Sequence, residues 1–287
     1  MPQYLLPRVR DLGGFSVKRL LPHATRRSVG PFVFFDHIGP ADIAPGEGMD
    51  VRPHPHIGLA TLTYLWEGAV MHRDSVGSVQ EIIPGDVNWM TAGRGIVHSE
   101  RTPERLRNQA SRIHGLQTWL ALPREFEEVA PAFAHHPKST LPLLRENDGA
   151  VITVVAGTWS GVASPVAVFS DTLYAAVTLS PGGSIALPPE HEERALYCVD
   201  GSVEVDADVV PAGALVVFEP YGTPLLRSPT GATFMLLGGA PLDAPRTLWW
   251  NFVHSDPARI ARAKEDWQAG RFERVPGETE FIPLPEG

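Results

Sequence analysis

The chain has 287 residues, room for one large β domain or two ordinary ones, and its 24 Lys plus Arg against 33 Asp plus Glu give a formal charge of −9. That acidic balance, with no Lys/Arg block, argues against a direct nucleic-acid binder held by phosphate neutralisation. Hydrophobic residues at 43% and charged residues at 20% exclude wholesale disorder, and 27 glycines with 28 prolines favour many short elements joined by turns.

In chain order, runs rich in β-branched and aromatic residues predict strands over residues 33–35, 60–65, 79–83, 113–122, 151–156, 173–179 and 215–218. Strands at that spacing suggest a sandwich or barrel. Thr102-Pro103-Glu104 can open a short helical turn. A longer helix is expected near the C-terminus, where Asp256 caps, Pro257 takes the first helical position, Ile260, Ala263 and Trp267 share a face, and Gly270 closes it. Its expected job is to cover a sheet edge or face.

The opening stretch MPQYLLPRVRDLGGF holds no apolar run of signal-peptide length, and no stretch approaches the roughly 18 apolar residues that span a bilayer. The sole cysteine, Cys198, leaves no disulfide framework and no thiolate zinc site. A cytoplasmic protein with no membrane partner is therefore expected.

A weak internal repeat relates the halves. Leu65-Trp66-Glu67-Gly68, followed by Ile83-Pro84-Gly85-Asp86-Val87, is echoed by Cys198-Val199-Asp200-Gly201, followed by Val210-Pro211-Ala212-Gly213. The wider glycine spacing in the first copy suggests a longer hairpin tip around His72-Arg73-Asp74-Ser75, which would face His72 to solvent. Two similar β domains follow, with the break in the Pro- and charge-rich stretch 123–148.

Most of the 11 histidines have no partner at a telling spacing. Two pairs differ: His54-Pro55-His56 and His98-Ser99-Glu100. Side chains two apart on a strand share a face, at about 3.3 Å of rise per residue, so an H-x-H strand beside an H-x-E strand can aim three imidazoles and one carboxylate at a point. Such a set binds a divalent transition metal, with Fe(II), Mn(II), Ni(II), Cu(II) and Zn(II) all admissible. Ile57, Leu59, Leu62, Tyr64, Trp66, Trp89, Met90 and Ile96 crowd these strands, and a subset is expected to form an apolar pocket around the metal.

Gly48 before His54-Pro55-His56, and Gly93-Arg94-Gly95 before His98, give the order G-x5-H-x-H then G-x-G-x-x-H, which resembles the two motifs of the cupin superfamily. The longer strings HPHIGLATLTYLWEG and PGDVNWMTAGRGIVHSE resemble the pirin family. The resemblance implies an all-β fold of two cupin-type β-barrels with a short C-terminal helix. Residues 1–130 would form the metal-binding barrel, and residues 131–287 a metal-free barrel plus the helix. It implies one metal ion, usually iron, on His54, His56, His98 and Glu100, with Glu100 replacing the carboxylate that cupins carry near Ala60 and Thr61. In the second half Leu187 and Pro189 occupy the H-x-H places, and His191 with Glu193 reads as a surface pair.

Two functions follow from that resemblance. One is a quercetin 2,3-dioxygenase-like oxidoreductase acting on a flavonol and O2, with Glu100 as proton acceptor. The other is a metal- or redox-sensing regulator that binds a transcription factor or metabolic enzyme without turnover.

Overall fold

The computed structural model describes residues 2–11, 15–206 and 208–285. The chain divides into two compact units: Met1–Val9, Lys18–Phe35 and Ser139–Leu242 form one, and Arg10–Val17, Asp36–Lys138 and Asp243–Gly287 form the other. The first twelve strands are β1 (Gln3–Leu5), β2 (Arg8–Asp11), β3 (Ser16–Leu21), β4 (Phe32–Ile43), β5 (Asp50–His56), β6 (Leu59–Glu67), β7 (Val70–Asp74), β8 (Val79–Ile82), β9 (Val87–Thr91), β10 (Ile96–Arg101), β11 (Ser111–Ala121) and β12 (Ala132–His136). A four-stranded sheet runs β5-β10-β7-β8, and a seven-stranded sheet runs β12-β9-β6-β11-β4-β3-β2. The expected helical turn after Pro103 is α1 (Glu104–Arg107).

The remaining strands are β13 (Leu143–Arg145), β14 (Ala150–Trp159), β15 (Val162–Ala163), β16 (Thr172–Leu179), β17 (Gly183–Ala186), β18 (Glu193–Val205), β19 (Asp208–Pro211), β20 (Leu215–Val217), β21 (Leu225–Ser228), β22 (Ala232–Gly239), β23 (Thr247–Trp249) and β24 (Phe252–His254). Every strand expected from the sequence is present. One sheet follows β1-β20-β18-β22-β16-β14-β13, with β15, β17, β19 and β21 branching from it. Its core packs Leu173, Val177, Leu196, Phe234 and Leu236 around Cys198, whose thiol burial pushes up to about 12, so it stays protonated and inert.

These sheets are mostly β as expected, but they are not closed into barrels. Among the described residues each sheet path ends on strands that do not pair with each other. For the histidine-bearing unit the cause is legible in β5. That strand ends the four-stranded sheet, and Pro53 and Pro55 have no N–H to give a further strand, so no ladder can continue past it. The edge is covered instead: Ile282 N–H donates to Pro53 O at 2.8 Å, and Ile57 bridges Phe252.

The covering segment contains α2 (Pro257–Gln268). The Asp256 side chain accepts from Ala258 N–H, Pro257 begins the helix, and Ile260 and Ala263 are buried against Ile57 and Phe252 with Trp267 alongside. Gly270 follows with φ +66. Residues 243–285 thus back the strands that carry the histidines. The turn joining β5 to β6 needs Gly58: φ is +67, and a Cβ there would stand 1.9 Å from Val253 O.

The repeat glycines Gly68, Gly85, Gly201 and Gly213 all have positive φ, between +75 and +87. The first hairpin turns at Ser75-Val76-Gly77, later than expected, which draws His72 and Asp74 into β7. His191 and Glu193 are not a surface pair. His191 is buried with Nδ1 2.9 Å from Asp171, while Glu193 accepts from Arg26 and from Gly30 N–H, both at 2.7 Å.

Candidate metal centre

β5 and β10 run antiparallel with His98 opposite His54 and Ile96 opposite His56. Alternation puts His54, His56 and His98 on one face, and all three are buried. Ring centroids lie 4.4 Å apart for His54 and His98, 4.9 Å for His54 and His56, and 5.0 Å for His56 and His98. Each offers a ring nitrogen within 4.8 Å of the others.

The backbone decides which nitrogens are offered. His54 Nδ1 lies 2.9 Å from Arg52 O and His56 Nδ1 lies 3.0 Å from Asn251 O. A carbonyl can only accept, so both Nδ1 atoms carry the proton and both Nε2 atoms present lone pairs. His56 Nε2 and His98 Nε2 are 3.1 Å apart. Burial lowers the His54 pKa to about 4, and burial together with neighbouring imidazoles holds His56 and His98 well below the ordinary value. Buried neutral nitrogens aimed at one another form a site capable of coordinating a metal ion.

Glu100 stands outside that trio. A bulge between His98 and Glu100 shifts the register against β5, and on the other side Glu100 lies opposite His72 of β7. Burial raises its carboxyl pKa, offset in part by His72 and by a hydrogen bond from Thr63.

His72 departs furthest from the expectation drawn from the sequence. It is buried, not solvent-facing: Nε2 lies 2.9 Å from Asp74 Oδ2, Nδ1 lies 3.4 Å from His98 Nδ1, and its ring stacks on Phe133 at 4.3 Å. The signal was present, since His72-Arg73-Asp74 has the same two-residue spacing as the other pairs. Trp119 was missed too; it meets the His56 ring edge-on at 5.0 Å. His37 and His114, among the histidines without a partner at a telling spacing in the sequence, pair at 2.8 Å. A cleft of about 590 Å³ lies on the other face of β5 and β10, where Pro53 and Val97 meet Trp267, Phe272 and Phe281, so it is not the histidine site.

The chain matches the Pirin family over residues 14–120 and the Pirin C-terminal cupin domain over residues 174–273. A pirin-like protein of Caulobacter vibrioides is 50% identical, covering 97% of this chain and 97% of its own. The chain belongs to the pirin family.

As a pirin it falls in the cupin superfamily with a bicupin fold of quercetin 2,3-dioxygenase type. A solved quercetin 2,3-dioxygenase from Acinetobacter baumannii superposes with TM-score 0.92 at 34% identity, over 100% of this chain and 95% of the other. A bacterial pirin from Escherichia coli, solved with nickel(II), shares the fold with TM-score 0.65 at 18% identity, over 84% of this chain and 100% of its own. Among the described residues, no helix of this pirin is long and apolar enough to cross a membrane.

Proposed function

We propose that this pirin is a mononuclear Fe(II) dioxygenase that opens the heterocyclic ring of a flavonol with O2. One observation carries the reading: buried neutral imidazoles of His54, His56 and His98 turn nitrogens toward a common point, in a chain 34% identical to a solved quercetin 2,3-dioxygenase. His54, His56, His98 and Glu100 would hold the ion. Bound iron(II) supplies Lewis acidity toward the adjacent hydroxyl and carbonyl oxygens of the flavonol, lowering the hydroxyl pKa.

The protein's own residues do the rest. Glu100, released from the ion as the flavonol arrives, accepts the hydroxyl proton. The Thr63 hydroxyl steadies the carboxylate when it is charged. Trp119, against the His56 ring, and Phe133, against the His72 ring, supply apolar surface beside the site.

The test is oxygen uptake by anaerobically iron-loaded protein challenged with a panel of flavonols. Oxygen consumption in step with loss of flavonol absorbance is expected. Protein holding one iron per chain that consumes no oxygen with any flavonol would overturn the reading, and redox-dependent capture of a protein partner would then point to a regulator.

A further inference from the structure

The three candidate ligands are not held alike. His54 and His56 each give Nδ1–H to a backbone carbonyl, which fixes their tautomers outright. His98 Nδ1 instead faces another imidazole, His72 Nδ1, at 3.4 Å. An imidazole nitrogen can donate or accept, so this contact alone leaves the His98 tautomer open.

Asp74 closes the choice. It is fully buried on β7, opposite His98 in the register, and its Oδ2 lies 2.9 Å from His72 Nε2. A carboxylate only accepts, so His72 carries a proton on Nε2, and in the neutral imidazole Nδ1 is left as an acceptor. His98 must then donate through Nδ1, which puts a lone pair on the Nε2 that faces His56. The carboxylate is itself oriented: Oδ1 accepts Val76 N–H at 3.1 Å and Ser78 N–H at 2.9 Å, and the His72 ring is clamped flat on Phe133 at an interplanar angle of 17°.

We propose that Asp74 and His72 are positioning residues that fix His98 in the Nδ1–H tautomer and so present its Nε2 lone pair to a divalent metal ion. The proposal rests on the metal reading above and deepens it. Outer partners of this kind typically change metal affinity 10- to 100-fold when removed.

Asp74→Asn is the sharpest perturbation. The amide oxygen keeps the bonds from Val76 and Ser78, because turning the NH2 toward those donors would oppose hydrogen to hydrogen. The NH2 then faces His72 Nε2, reverses the His72 tautomer, and forces His98 to carry its proton on Nε2. His72→Phe keeps the stack on Phe133 but removes both nitrogens, whereas His72→Asn leaves an oxygen near the place of Nδ1.

The experiment pairs two readouts. Fe(II) affinity is measured anaerobically by competition with a chromogenic chelator. The His98 tautomer is read from two-bond 15N–1H couplings in the metal-free protein. Wild type is expected to show His98 Nδ1–H and tight iron binding. Asp74→Asn is expected to show His98 Nε2–H with 10- to 100-fold weaker iron binding, His72→Phe a similar loss, and His72→Asn a value within about three-fold of wild type. The wild-type tautomer needs no variant to fold, and finding Nε2–H there would overturn the proposal. So would an Asp74→Asn protein that keeps both the wild-type affinity and the Nδ1–H signature, an outcome that leaves the metal reading standing. Wild type that takes up no iron would refute the metal reading, and this proposal with it.

Discussion

Keeping three imidazoles neutral inside the protein gives the metal-free form an acid-sensitive stability. His54 is lowered by burial to about 4, against about 6.5 in an unfolded chain. Above pH 6.5 both states are neutral there and the residue costs nothing. As pH falls, the unfolded chain takes up the proton first, so stability is lost progressively until the folded pKa is reached. Between pH 7 and pH 5 the loss from His54 alone is about 2 kcal/mol, because a proton bound only by the unfolded chain costs the fold about 1.4 kcal/mol for each pH step below 6.5. His56 and His98 are lowered as well and act with the same sign. Glu100 acts oppositely, since its raised pKa makes the folded state take up a proton before the unfolded one. Comparing wild type with a variant cancels that contribution. Urea unfolding of chelator-treated protein at the two pH values is the assay, with His54→Gln as the control that should recover about 2 kcal/mol of the acid loss. A wild type and variant with the same pH dependence would refute the burial of a neutral His54.

Three further outcomes are expected. Glu100→Gln removes the proton acceptor while leaving the imidazole trio, so flavonol turnover should fall by about 10²-fold or more, with iron still detected in the protein; undiminished turnover would remove Glu100 from the chemistry. Arg246 lies 2.9 Å from Glu127 with both side chains almost fully buried, and Glu127 also accepts from Ser255 N–H at 2.7 Å. Arg246→Met should therefore cost about 3–5 kcal/mol in urea unfolding, because buried Glu127 loses its guanidinium partner and keeps only Ser255 and the His254 ring beside it. Gly58→Ala should lower stability by about 1–3 kcal/mol, since a residue with φ +67 beside Val253 O has no room for a methyl group; a variant as stable as wild type would show that the covering segment shifts freely.

Local chemistry carried most of the legible information. The strands, the Asp256-Pro257 helix start and the short turn after Pro103 follow from propensity and capping; residues 33–35 fall in the longer β4, and all of 113–122 but Leu122 falls in β11. The H-x-H pair and His98 could be read because two-residue spacing on a strand fixes a shared face. The same rule applied to His72 and Asp74 would have found them, but assigning the hairpin tip two or three residues too early turned a buried pair outward. Closed barrels were expected from kinship, although Pro53 and Pro55 already denied β5 the donors a closing ladder needs. The return of residues 243–285 to the histidine-bearing unit leaves no local trace, because nothing at Phe252 or Ile282 names Ile57 or Pro53 as a partner. His191 looked like half of a surface pair because Asp171, its partner, lies far off in the chain.

Elemental analysis of anaerobically purified wild type beside His98→Ala tests the metal centre most directly. One divalent transition-metal ion per wild-type chain, iron above the rest, and none in His98→Ala would fit three imidazoles gathered to hold it. Equal metal in the two proteins, or none in either, would contradict that arrangement.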